Sequence, residues 1–480
     1  MANKDGITWD DRLNPVVVKE LRQTVRGRFL PTVLMTFLSV QLIAMVTYFN
    51  SGGKLSGSIL LSIFMSFSLF VMIMVIPLAV GQRITSERSE SNMDLLYIST
   101  LDPRKIITGK FMAGFIIILL FFTATLPFIS LTFLLRGVDL PSVLVYSLYT
   151  LLFSAAALQS IILLAYLPMS RVLRVLLTLC AIVFLFTQYV MVATFFAQAS
   201  QEGLSGFNIW EGLAAIALIL AFIFVLQRVA IAIIQPGSAN RAKPVRKTLS
   251  MIGLLLPLAF FLGNKSQDII FPLTAVGLAL CLVVAICERE QPNARLRRTI
   301  PNNIFKRLIS FPFFSGAANG TVWCMVSFAI LCLFSLGSGS TVFCFGMAFY
   351  SIAYCMSSHF VYRRFLVKRL PKKKVFLLPV ILFAFSSFVM ALIQSMIMGN
   401  ADAQFWYLLN PIALDGSLKE EALIVSGIWA VMATAIQLPW LFTNFFNFKP
   451  LPLESASPDE ATSNVEATNS VEAISTGSEI

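Results

Sequence analysis

The chain has 480 residues, 57% of them hydrophobic and only 12% charged, with 36 Lys/Arg against 24 Asp/Glu and a formal net charge of +12. Its mean hydropathy is +0.82. A soluble globular chain carries about 25% charged residues, so the soluble class is excluded. The expected fold is an all-α polytopic membrane protein. The apolar runs are too long for the ~10-residue alternating segments of an outer-membrane barrel.

Residues 1–28 hold Lys4, Arg12, Lys19, Arg22, Arg26 and Arg28. They lack the short apolar core and small-residue cleavage site of a signal peptide. Within them, Val17, Val18, Leu21 and Val25 fall at helical spacing, with Lys19, Arg22, Arg26 and Arg28 elsewhere. That pattern predicts an amphipathic helix lying at the inner membrane surface. A simple juxtamembrane charge cluster is the competing reading.

A bilayer-spanning helix needs about 20 mostly apolar residues. On that measure twelve spans are expected, at 29–49, 57–81, 111–135, 142–168, 175–197, 210–232, 249–263, 269–287, 322–338, 340–360, 375–397 and 421–446. The seventh is the shortest. With the N-terminus inside, only Lys54, Arg136, Lys265 and Lys419 lie outside, Arg228 lies within a span, and the other 31 of the 36 Lys/Arg are cytoplasmic. Such asymmetry is the positive-inside rule at work. The basic balance therefore reads as membrane orientation and not as nucleic-acid binding. Both termini are expected in the cytoplasm, in the cell's inner (plasma) membrane.

The stretch 84–110, ITSERSESNMDLLYISTLDPRKIITGK, is long and polar for a link between two spans. Ser91 or Asn92 can cap a short helix there, because a side-chain oxygen accepts an otherwise unpaired first-turn N–H. Asp94 suits the positive end of that helix, and Leu95, Leu96, Tyr97 and Ile98 give it an apolar side. Asp102 caps a second helix with Pro103 at its first position, where the missing N–H costs nothing. This second helix is expected to run through Gly109 and Lys110 into the third span.

The segments NPVVVKELRQTVRGR (14–28) and ERSESNMDLLYISTLDPRKIITGKFMAG (87–114) resemble permease subunits of the type-2 ABC transporter family. The resemblance covers roughly residues 12–240 and rests on Glu87, Arg88, Leu95, Leu96, Ser99, Gly109 and Lys110. Ser91-Asn92 stands where the family has Gly-Thr, and Asp102-Pro103 where Ser-Pro is common. The resemblance implies a surface helix at 1–28, a first six-helix half at 29–240 and a coupling loop at 82–110. It implies docking of a separate ATPase subunit through Glu87, Arg88, Asp94, Leu95, Leu96, Tyr97, Asp102 and Lys110. ATP would then be bound by that partner, and this chain would hold no cofactor of its own.

After span eight, Glu288-Arg289 stands as Glu87-Arg88 does after span two, and 240–249 could stand where the N-terminal helix does. Residues 241–448, with the cytoplasmic loop 288–321, would then repeat the first half. An unrelated basic loop explains the same residues. Residues 449–480 carry six acids among Ser, Thr, Ala and Pro and are expected to be a disordered tail.

No catalytic constellation is visible. GxxxxGK[ST] and HExxH are absent, the single histidine, His359, is expected at a membrane interface, and the seven cysteines match no metal or disulfide framework. Gln41, Gln159, Gln188, Gln394 and Gln437 read as interhelical packing groups, or as lining of a path. The expected function is an ABC permease subunit, with export as the expected direction and no enzymatic activity. A second permease chain is a further possible partner. The alternatives are a membrane-embedded lipid or glycan transferase and a secondary transporter.

Reporter fusions test the orientation. Fusions after Arg136, Glu202, Lys265 and Asp402 should read outside, and those after Asp102, Arg246, Arg298 and Lys373 inside. One reversed middle position would refute the twelve-span count.

Overall fold

The computed structural model describes residues 14–50, 57–89, 102–134, 140–167, 171–202, 209–235, 239–263, 267–289, 294–369, 371–396, 410–411 and 419–450. The protein is an all-α polytopic membrane protein: the described residues form helices and no strand. In hydrocarbon no water can satisfy backbone N–H and C=O groups, so an apolar run that enters the bilayer closes its hydrogen bonds internally as a helix. Pro127, Pro272 and Pro439 nonetheless sit inside helices, which membrane helices tolerate where neighbouring groups take up the freed backbone carbonyl.

The helices are α1 (Pro15–Arg26), α2 (Phe29–Asn50), α3 (Gly57–Phe70), α4 (Ile76–Ser89), α5 (Pro103–Leu134), α6 (Leu140–Tyr166), α7 (Arg171–Glu202) and α8 (Ile209–Ile234). They continue as α9 (Ala242–Gly263), α10 (Gln267–Ala285), α11 (Ala294–Arg297), α12 (Ile304–Ser310), α13 (Ala317–Ser335), α14 (Thr341–Val361), α15 (Leu377–Met396) and α16 (Lys419–Asn447). A π-helical turn, Val71–Val75, joins α3 to α4, and another, Tyr362–Leu366, follows α14.

Among the described residues, nine helices are long and apolar enough to cross a membrane. Each of the other three expected spans is also helical. The seventh lies in α9, whose first turns carry Lys243, Arg246 and Lys247; the eighth and eleventh contain shorter apolar stretches, Ile270–Ala285 and Leu377–Phe388. The second span reaches further than its apolar run suggests. Its helix continues past the expected end at residue 81 to Ser89, because Arg83 and Glu87 find partners on neighbouring helices.

The chain forms two compact units. The first comprises 1–236 and 259–266, and the second 237–258 and 267–480. The core of the first gathers Phe37, Met72, Ile107, Ile118, Phe121 and Leu158 from α2, the first π turn, α5 and α6. A buried polar chain crosses it, from the Gln41 amide to Ser68 Oγ (3.1 Å) and from the Ser68 hydroxyl to Thr125 Oγ1 (3.2 Å). The core of the second gathers Leu282, Ile286, Trp323, Cys324, Phe328 and Cys355. Cys324, Cys332, Cys344 and Cys355 are buried free thiols used as small packing groups, whereas Cys180 is exposed. Many large apolar side chains face outward, among them Leu42, Val183, Met191 and Leu280. In a bilayer these meet acyl chains.

Candidate functional site

α1 is capped by Asn14, whose Oδ1 accepts from the Val16 N–H at 3.1 Å. Pro15 occupies the first helical position. Gly27, in extended backbone, separates α1 from α2. The buried stripe of α1 is Val17, Glu20 and Thr24, with Leu21 half-buried and Val25 66% exposed. The expected apolar face is thus rotated: two polar side chains hold its centre.

Their partners explain the rotation. Lys110 Nζ on α5 donates to Glu20 Oε1 at 2.5 Å and to Glu87 Oε2 on α4 at 2.7 Å. The Lys110 side chain is 5% exposed, Glu20 8% and Glu87 21%. Arg83 on α4 donates to Thr24 Oγ1, which in turn donates to the Glu20 carbonyl. Lys19, largely exposed, stands 4.0 Å from Glu87. The Asn14 amide donates to the Lys105 carbonyl at 2.6 Å, at the start of α5. One lysine between two carboxylates therefore ties three helices together in a poorly hydrated place.

Gly109 permits this approach. A β-carbon there would come within 2.8 Å of Val16 Cβ and 3.0 Å of the Asn14 amide. The absence of a side chain lets the first turn of α1 lie directly on α5. On the far side of α5, the Gln227 amide from α8 reaches Thr108 Oγ1 at 3.2 Å.

The expected docking residues divide accordingly. Asp102 caps α5 as expected, with Oδ1 accepting from the Arg104 N–H at 3.0 Å, and is exposed. Glu87 and Lys110 face α1, so both charges are engaged within the chain. Asp94, Leu95, Leu96, Tyr97 and the side chain of Arg88 lie outside the described residues. Lys19, Arg22, Arg26 and Arg28 are exposed. Glu20, Thr24, Arg83 and Asn14 were missed. Glu20 did leave a trace, as the single acid among residues 14–28.

The second unit repeats the design with other chemistry. Asn240 Oδ1 accepts from the Lys243 N–H at 3.2 Å, and its amide reaches the Phe313 carbonyl at 3.3 Å. Arg246, 4% exposed, donates to Glu288 Oε1 (2.6 Å) and to the Pro312 and Phe314 carbonyls (2.9 and 2.5 Å). Glu288 Oε2 accepts from the Gly316 N–H at 2.7 Å, just before α13. Gly320 on α13 makes room, since a β-carbon there would meet Arg246 Nη2 at 2.7 Å. In each unit a capping asparagine, an acid at or just past the end of the second spanning helix and a glycine on the third spanning helix hold the leading helix.

His359, in the last turn of α14, is fully buried among neighbouring helices, with its ring 4.2 Å from that of Trp440. The Gln437 amide reaches the Met356 carbonyl at 3.3 Å, the interhelical role expected of it. Gln159 is fully buried in α6 with no hydrogen-bond partner for its amide among the described residues. No family model, curated protein or solved structure matches the chain.

Removing one member of a buried ion pair leaves the other uncompensated, at about 3–5 kcal/mol. Lys110→Met should therefore lower unfolding stability in mild detergent by about 3 kcal/mol. Combining it with Glu20→Gln and Glu87→Gln should recover most of that loss. A single variant as stable as the parent would show that Lys110 is not holding the three helices.

Proposed function

We propose that this chain is the membrane-spanning subunit of an ABC-type exporter, driven by a separate ATPase that docks on the loop between α4 and α5. The family resemblance of residues 12–240 supports this reading, and the observation that carries it is the Glu20–Lys110–Glu87 clasp. The clasp joins the two helices that bracket residues 90–102 to each other and to α1. A load applied to that loop is thereby delivered to three helices together. Lys110 and Glu87 act in this reading as positioning residues, and Leu95, Leu96 and Tyr97 make the contact.

The second unit supplies a counterpart. In α12, Ile304, Phe305, Leu308 and Ile309 are exposed beside Lys306 and Arg307. The helix follows the Arg246–Glu288 pair's own acid in sequence, as the first loop follows Glu87. α12 is then the second docking element, and one chain would engage two ATPase subunits. Both docking surfaces and both termini face the cytoplasm in this reading, in agreement with the Lys/Arg asymmetry.

Burying an apolar side chain contributes about 1.5–3 kcal/mol. Leu95→Asp with Leu96→Asp should thus weaken ATPase association by roughly tenfold or more, since ~1.4 kcal/mol is a factor of ten. The double variant should reach the membrane at the parent level and lose the co-purifying ATPase. Undiminished recovery of the ATPase with a well-expressed variant would remove the docking loop from the account.

A further inference from the structure

The second unit holds a cavity of about 750 Å³ where α14 and α16 end. Arg297, Arg363, Arg364 and Trp440 line it, with Phe360 and Ile436 at the apolar part of the wall. Local structure sets the cations. The π-helical turn after α14 carries Arg363 and Arg364, and Arg297 is the last residue of α11. Single π turns inside helices often mark functional positions. Trp440 is 4% exposed and follows Pro439 in α16; its ring meets that of His359, and the Arg363 guanidinium lies 5.7 Å from the Trp440 ring centroid.

The charge of the site is one-sided. None of the lining residues is acidic, and among the described residues none of the three arginines forms an ion pair. Trp440 Nε1 is buried and has no acceptor among the described residues. Three cations and an unused N–H donor beside a molecule-sized space suit an anion. The guanidinium fork matches phosphate oxygens in pairs. The apolar wall decides which kind of phosphate. Phe360 and Ile436 are 41% and 56% exposed, and a free inorganic anion would gain nothing from them. Basic pockets between membrane helices hold the headgroups of anionic lipids.

We propose that this cavity binds an anionic phospholipid, with its phosphate between Arg297, Arg363 and Arg364 and its acyl chains along Phe360 and Ile436. The site is independent of the ATPase-docking reading. It gives the second unit a lipid requirement that zwitterionic lipid cannot meet.

The test uses the full-length chain purified in a non-ionic detergent. Short-chain phosphatidylglycerol, short-chain phosphatidylcholine and inorganic phosphate are each titrated and bound ligand is counted by native mass spectrometry. Phosphatidylglycerol should bind saturably and phosphatidylcholine should not. Arg363→Gln with Arg364→Gln should weaken phosphatidylglycerol binding by roughly tenfold or more. Arg289→Gln with Arg295→Gln, which removes equal charge outside the cavity, should change it by less than about threefold. If the glutamine pair fails to fold, Arg363→Lys with Arg364→Lys keeps the charge and should still weaken binding several-fold, because an ammonium lacks the planar fork. Equal losses in the two double variants would mean diffuse attraction and overturn the site. Inorganic phosphate binding as tightly as the lipid would assign the cavity to a soluble phosphate and overturn the lipid.

Discussion

The first unit depends on a lysine held between two carboxylates. Lys110 Nζ contacts Glu20 and Glu87 in surroundings that leave the lysine 5% exposed. Removing such charges from water costs several kcal/mol each, and mutual attraction offsets this only when the geometry is good and other polar groups are satisfied. Here the geometry is good, and Arg83, Thr24, Asn14 and the Lys105 carbonyl satisfy the surrounding groups. A buried charge pair adds little net stability over an apolar equivalent, but a misplaced one is strongly penalised. The clasp therefore acts chiefly by permitting only one arrangement. α1 cannot slide or rotate on α5 without stranding a charge.

The second unit reaches the same end by another route. There the leading helix contributes the cation, Arg246, and the guanidinium spreads its donors over Glu288 and two backbone carbonyls. Arg suits this position because its donors are fixed in a plane and remain charged when desolvated. A glycine on the third spanning helix makes room in both cases, since a β-carbon at Gly109 would meet Val16 Cβ at 2.8 Å and one at Gly320 would meet Arg246 Nη2 at 2.7 Å. The two units thus solve a similar packing problem with different residues, the cation standing on the third spanning helix in the first and on the leading helix in the second.

Much of the fold was legible because the bilayer imposes a simple rule: long apolar runs become helices, and caps such as Asn14 and Asp102 act through local hydrogen bonds. The end of the second span was misjudged for the opposite reason. Arg83 and Glu87 are polar, and only partners on α1 and α5, distant in sequence, keep them helical. The same distance hid Glu20, which is one of the three buried residues of α1. The burial of His359 was not legible either, because nothing near it in sequence announces that Trp440, some eighty positions on, covers its ring. Leu95, Leu96 and Tyr97, expected from the resemblance to contact an ATPase, lie outside the described residues.

Hydrogen exchange of α1 tests the clasp most directly. A helix merely resting at the membrane surface opens locally at low cost, whereas one locked to the core opens only with its partners. The amides of residues 18–26 should exchange as slowly as those of 107–112 in the parent protein. In Lys110→Met the first group should exchange roughly a hundredfold faster, as expected for the loss of about 3 kcal/mol, while the second changes little. Fast exchange of α1 in the parent, or equal protection in the variant, would contradict the claim that this buried lysine fixes the N-terminal helix.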